Sequence, residues 1–111
     1  MAMDPTGFSI STSDRNGRAV VVVRGELDLA TAPDLEQVVF EHLDAGQEVV
    51  VDLRELAFMD SSGLRVLVKG HARAVDGGPR FSIVRPFEGT EVAKILTIAG
   101  LSQQLEHIDE P

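Results

Sequence analysis

The 111-residue chain contains no cysteine, no tryptophan and no tyrosine. Without cysteine there are no disulfides, no thiol catalysis and no thiolate metal sites, which suits a reducing compartment. A cytoplasmic location is therefore expected. Five phenylalanines are the whole aromatic complement, too little for the stacking platforms that bind single-stranded nucleic acid. Basic residues are also scarce. Ten Lys and Arg stand against 18 Asp and Glu, a net charge of −8. Such a chain lacks the cations that neutralise nucleic-acid phosphates or anionic lipid headgroups, so neither direct nucleic-acid binding nor membrane docking is expected. A charged partner surface would be basic, and the excess acid also keeps a small domain soluble. No apolar run reaches the roughly 18 residues of a membrane span. The opening "MAMDPTG" has neither the basic nor the apolar segment of a signal peptide.

What is present suits one small α/β domain. Hydrophobic residues make up 43% of the chain, enough for a core without metal or disulfide support. Residues 1–7 read as a flexible lead-in and 8–111 as the domain. "FSISTS" (8–13) alternates as an edge strand, Asn16-Gly17 is a strong hairpin signal, and "RAVVVVRG" (18–25) is a continuous β-branched run. "TAPDLEQVVFEHLDAG" (31–46) reads as a helix capped by Thr31, with Leu35, Val38, Val39, His42 and Leu43 inward. "EVVVDL" (48–53) is a short buried strand. "SSGLRVLVKGHARAVDGG" (61–78) is a second helix, with Leu64, Leu67, Val68, His71, Ala72 and Val75 on its inner face. Gly70 within it reads as a weakness of ~1 kcal/mol relative to Ala. "RFSIVR" (80–85) is a strand and "EGTEVAKILTIAG" (88–100) a third helix facing inward through Val92, Ile95, Leu96 and Ala99. Residues 101–108 read as a short helix or turn, with room for a brief strand at the end. Alternating strands and helices predict a mixed, mostly parallel central sheet with an N-terminal β-hairpin and helices packed on it. Function in such folds gathers at the carboxyl ends of strands. Here those ends lead into "GELDLA" (25–30), with Glu26 and Asp28 as exposed loop charges, and "LAFMDSS" (56–62).

Enzymatic constellations are missing. His42, His71 and His107 share no metal-ligand spacing. Neither Ser61 nor Ser62 sits in a G-x-S-x-G elbow, and no phosphate-binding glycine pattern occurs. The chain therefore reads as a non-enzyme without cofactor or metal. "DSSG" (60–63) fits a helix N-terminus, with Asp60 or Ser61 accepting from the first free backbone N–H groups. A cap accounts for one polar residue, not for two adjacent hydroxyls and a glycine. A serine at this junction is exposed to a kinase, and a helix N-terminus tolerates the added phosphate. A cap and a regulatory phosphoserine both remain open from spacing alone.

"RGELDLATAPDL" (24–35), "VVVDLRELAFMDSSGLRVL" (49–67) and "IAGL" (98–101) together resemble the STAS-domain anti-sigma factor antagonists of bacteria, over roughly residues 8–108. The intact D-S-S-G-L resembles the phosphorylatable branch. Arg65 departs from it, because glycine often follows this motif in the family. The resemblance implies a STAS fold and a partner switch. The unmodified antagonist binds an anti-sigma factor that is also a serine kinase and so frees a sigma factor. Phosphorylation of the serine matching Ser61 breaks the complex, and a phosphoserine phosphatase resets it. The same resemblance places partner contacts at Asp28, Thr31, Asp60, Ser61, Ser62, Leu64 and Arg65, and the free chain is expected to be a monomer. A STAS module of a transporter or stress-signalling complex, with no phosphorylated serine, is the alternative.

Overall fold

The computed structural model describes residues 7–111, so the lead-in expected over 1–7 lies outside the described residues apart from Gly7. Strands β1 (Ser9–Arg15) and β2 (Arg18–Leu27) form the antiparallel hairpin. Asn16 and Gly17 both take positive φ, 56° and 84°, the pairing that lets a two-residue turn follow the strand twist. Asp14 Oδ1 accepts from the Gly17 N–H at 3.1 Å. Helix α1 (Ala32–Asp44) leads to β3 (Val49–Asp52), a turn, and β4 (Leu56–Met59). Helix α2 (Ser61–Val75), β5 (Phe81–Val84), α3 (Glu91–Ile98) and β6 (His107–Ile108) complete the chain.

The sheet runs β1-β2-β3-β5-β6, parallel everywhere except the first pair. Strand β4 pairs with β2 as well, beyond the end of β3: β3 takes Ala19 to Val22 and β4 takes Gly25 to Leu27. The segment read from the sequence as a loop at 56–62 is therefore strand up to Met59, and β2 extends two residues past its expected end. The region 101–108 is turn followed by β6. The mixed sheet with a hairpin and three helices is otherwise as expected.

One face of the sheet, through Val21, Val23, Val49, Val51, Phe81 and Ile83, forms the core with Leu35, Val39 and Leu43 of α1 and with Val66 and Leu67 of α2. Val92 and Leu96 of α3 join the same cluster. Helix α2 meets this core through a different stripe from the expected one. Gly63, Val66, Leu67 and Gly70 are buried, whereas Val68 and Val75 are exposed, Val75 at 74%. A Cβ on Gly70 would lie 2.6 Å from the Phe81 ring, and one on Gly63 2.7 Å from Leu27 and Met59. These glycines allow α2 to approach the sheet closely; Gly70 is a packing requirement rather than a flaw.

Asp52, the last residue of β3, is 3% exposed. Its carboxylate accepts from the Arg54 backbone N–H at 3.0 Å, Nε at 3.1 Å and Nη2 at 2.8 Å. Burial alone pushes this carboxyl up. The Arg54 hydrogen bonds and the charges of Arg54 and Arg24 outweigh it and hold Asp52 below the usual carboxylate value.

Candidate functional site

The two loops expected to meet do so at the ends of β2 and β4. After Leu27 the chain turns sharply, and Asp28 organises the turn. Its Oδ1 accepts from the Ala30 N–H at 3.0 Å, the Thr31 N–H at 3.2 Å and the Thr31 hydroxyl at 3.2 Å, a side chain mimicking a backbone turn. Asp28 is half-buried rather than an exposed loop charge; Glu26 is exposed. Thr31 stands at the expected N-cap position of α1 but supplies no side-chain cap. Its backbone is already helical. With 7% exposure, the hydroxyl turns inward, donating to the Glu26 carbonyl at 2.8 Å and accepting from the Asp28 N–H at 2.9 Å. The turn pushes Leu29 into solvent, 79% exposed. An isolated leucine between Asp28 and Ala30 was the available signal for this residue, and hydrophobic periodicity passes over it.

The second loop is shorter. Asp60 is the N-cap of α2, in extended backbone, its Oδ1 accepting from the Ser62 N–H at 2.8 Å. Its own N–H donates to the Leu27 carbonyl at 3.1 Å, joining the two loops. Ser61, the first residue of α2, is exposed; Ser62 is half-buried. Leu64 packs at the edge of the core, and Arg65 is exposed one turn along. Leu29, Pro33, Phe40, Ser62, Arg65 and Lys69 line a groove of about 400 Å³ between α1 and α2. The structure thus brings Asp28, Asp60, Ser61, Ser62, Leu64 and Arg65 to one end of the domain, with Thr31 supporting the turn from beneath.

A protein-family model described as "Mlab, STAS domain" matches residues 10–107. The chain belongs to the STAS-domain family. Among curated STAS relatives, the anti-sigma-F factor antagonist RsfB of Mycobacterium tuberculosis is 38% identical over 64 residues, 57% of this chain and 52% of RsfB. The chain thus spans about half the length of that relative. The anti-sigma-B factor antagonist of Staphylococcus aureus is 29% identical over 104 residues, covering 93% of this chain and 94% of that one. The crystal structure of an anti-sigma factor antagonist from Mycobacterium paratuberculosis superimposes with a TM-score of 0.82 at 25% identity, over 98% of this chain and 92% of that chain. No helix among the described residues of this STAS domain is long and apolar enough to cross a membrane.

Proposed function

We propose that this STAS domain is an anti-sigma factor antagonist, a cytoplasmic binding regulator switched off by phosphorylation of Ser61. The observation that carries the reading is the placement of Ser61, exposed at the start of α2 and joined through the Asp60–Leu27 bond to the turn that presents Leu29. The names of the relatives support the same class. The unmodified surface around Leu29, Ser61, Ser62, Leu64 and Arg65 binds an anti-sigma factor that is a serine kinase, releasing a sigma factor. Asp28, Thr31 and Asp60 hold that surface in shape.

The kinase supplies most of the chemistry. The Ser61 Oγ attacks the γ-phosphorus of ATP, the bond to the β-phosphate oxygen breaks, ADP leaves, and the hydroxyl proton passes to a base of the kinase. Catalysis is mostly positioning, so this chain need present only an accessible acceptor. The product carries about −1.5 to −2 charges at neutral pH. Buried at an interface beside Asp60, that charge costs about 2–4 kcal/mol, a roughly thirty- to thousand-fold loss of affinity. At the free helix N-terminus it is tolerated. A phosphoserine phosphatase, by hydrolysis to serine and inorganic phosphate, restores binding. The free chain acts as a monomer.

The family model's description names the STAS domain and no antagonist, which leaves room for a second reading as an interaction module of a transporter or stress-signalling complex. One experiment separates the two. The full chain, S61A and S62A are incubated with an anti-sigma factor kinase of the same organism and ATP, followed by mass spectrometry and a binding titration. Phosphate on Ser61, its absence in S61A, retained binding by S61A and release of the modified chain are expected. Phosphate on Ser62 alone refutes the site. No binding and no phosphate with an active kinase favour the second reading.

A further inference from the structure

On helix α2 the residues Ser61, Arg65, Lys69 and Arg73 recur at intervals of four, the spacing that makes side chains neighbours on a helix surface. Two of the three cations have carboxylate partners on α1. Lys69 Nζ is 3.1 Å from Glu36 Oε1, and Arg73 Nη2 is 2.7 Å from Asp44 Oδ1. Arg65 makes no ion pair or hydrogen bond among the described residues. Opposite it stand Leu29 and Pro33, and Glu36, the carboxylate lining the same groove, is held by Lys69. Its own helix provides no acid either. Ser61 and Ser62 lie four and three residues before it, Val68 and Lys69 three and four after it. The unmodified chain therefore leaves one exposed guanidinium without a counter-charge, with a like charge one turn further along, a mildly unfavourable pair.

We propose that Arg65 is the intramolecular receptor for a phosphate on Ser61. This rests on Ser61 being the modified residue, as proposed above, and adds how the modified state is held. Phosphorylation places an anion four residues before the cation, the favourable order for a helical ion pair. The guanidinium fork matches two phosphate oxygens. Closing this pair has two effects at the partner surface. A bulky dianion becomes fixed over the first turn of α2, and the Arg65 cation is drawn away from the groove beside Leu29. The modification thus takes the Arg65 guanidinium out of the contact surface as well as adding a charge that binding would have to desolvate. The same pair braces the first turn of α2, so the modified domain gains local stability.

The test needs no kinase. Phosphoserine is incorporated at position 61 of the full chain by genetic-code expansion, with Arg65 intact or as R65A, and the phosphate is titrated by phosphorus NMR. With Arg65 intact, the midpoint of the second phosphate ionisation is expected about half a pH unit lower than in R65A. This displacement is expected to shrink at 1 M salt, where an exposed pair is screened. Unmodified R65A should melt with the unmodified parent, because Arg65 holds nothing in that state. Equal midpoints in the two phosphorylated chains, or a displacement unchanged at 1 M salt, overturn the proposal. A chain that no kinase modifies would instead defeat the functional reading and leave this titration intact.

Discussion

The backbone N–H of Asp60 donates to the carbonyl of Leu27 at 3.1 Å while the Asp60 side chain accepts from Ser62 N–H at 2.8 Å. One residue therefore fixes where α2 begins and ties that point to the end of β2. The first bond belongs to the backbone and survives substitution; the second depends on the carboxylate. Asp60→Ala should lower unfolding free energy by about 1 kcal/mol, and Asp60→Asn by much less, since asparagine caps nearly as well. Urea denaturation of the three chains measures both effects. Equal stability of Asp60→Ala and parent would remove the cap from the account.

The close approach of α2 to the sheet gives a second prediction, one whose sign separates local propensity from packing. Replacing a mid-helix glycine by alanine normally gains ~1 kcal/mol. At Gly70 the new methyl would lie within 2.7 Å of three Phe81 ring atoms, and Phe81 is 1% exposed, without room to retreat. Overpacking of this kind costs about 1–3 kcal/mol. Gly70→Ala should therefore destabilise the domain, as read by the denaturation midpoint. A rise in midpoint would mean that the ring yields.

These glycines also explain where the sequence was legible and where it was not. The hairpin was readable because Asn16-Gly17 permits one tight turn, and β2, β3 and β5 because β-branched runs suit buried strands. The buried stripe of α2 was not, because two of its four positions are glycines, which a search for apolar periodicity does not count. The periodic residues selected in their place included Val68 and Val75, which face solvent. Strand β4 escaped because its burial is confined to its two ends, Leu56 and Met59, with Ala57 and Phe58 exposed between them. Such a pattern has neither the alternation nor the continuous run of a longer strand. At the site, a cap at Asp60 or Ser61 and the exposure of Ser61 followed from the order of residue types, and the fold decides the cap for Asp60. The inward turn of Thr31 did not, because it depends on the Asp28 turn and the Glu26 carbonyl, partners that only the folded loop supplies.

The Asp52–Arg54 pair predicts a pH-dependent phenotype. Asp52 has a folded-state value below its unfolded one. Its contribution is thus present above the unfolded value of about 3.9 and is lost as pH falls through the lower folded value. In Arg54→Ala the buried carboxylate loses its partner, and desolvation then raises its folded value. The variant should be less stable than the parent at neutral pH, with the gap narrowing as pH falls from the variant's raised value down through the parent's lowered one, below which Asp52 is protonated in both. Thermal melts at pH 7, 5 and 3 measure this. A gap that is constant over that range would show that Arg54 acts through packing rather than charge.

The turn at 28–31 separates shape from contact, and two neighbouring substitutions test the division. Leu29 is exposed and lines the groove beside Ser62 and Arg65, so Leu29→Ala should leave the melting temperature close to the parent's, as is usual for surface positions. If its side chain enters an apolar pocket of the partner, the same change should weaken anti-sigma factor binding by about tenfold or more, because fully burying a leucine side chain is worth about 1.5–3 kcal/mol. Asp28→Lys is different. It removes the acceptor for three hydrogen bonds of the turn and places a long cation at a half-buried position. Melting temperature and affinity should fall together, the second because Leu29 is no longer held in place. Isothermal titration with the partner, paired with thermal melts of each free chain, distinguishes the two. If Leu29→Ala binds as tightly as the parent while Asp28→Lys loses both properties, the turn is structural only and the contact surface is confined to α2.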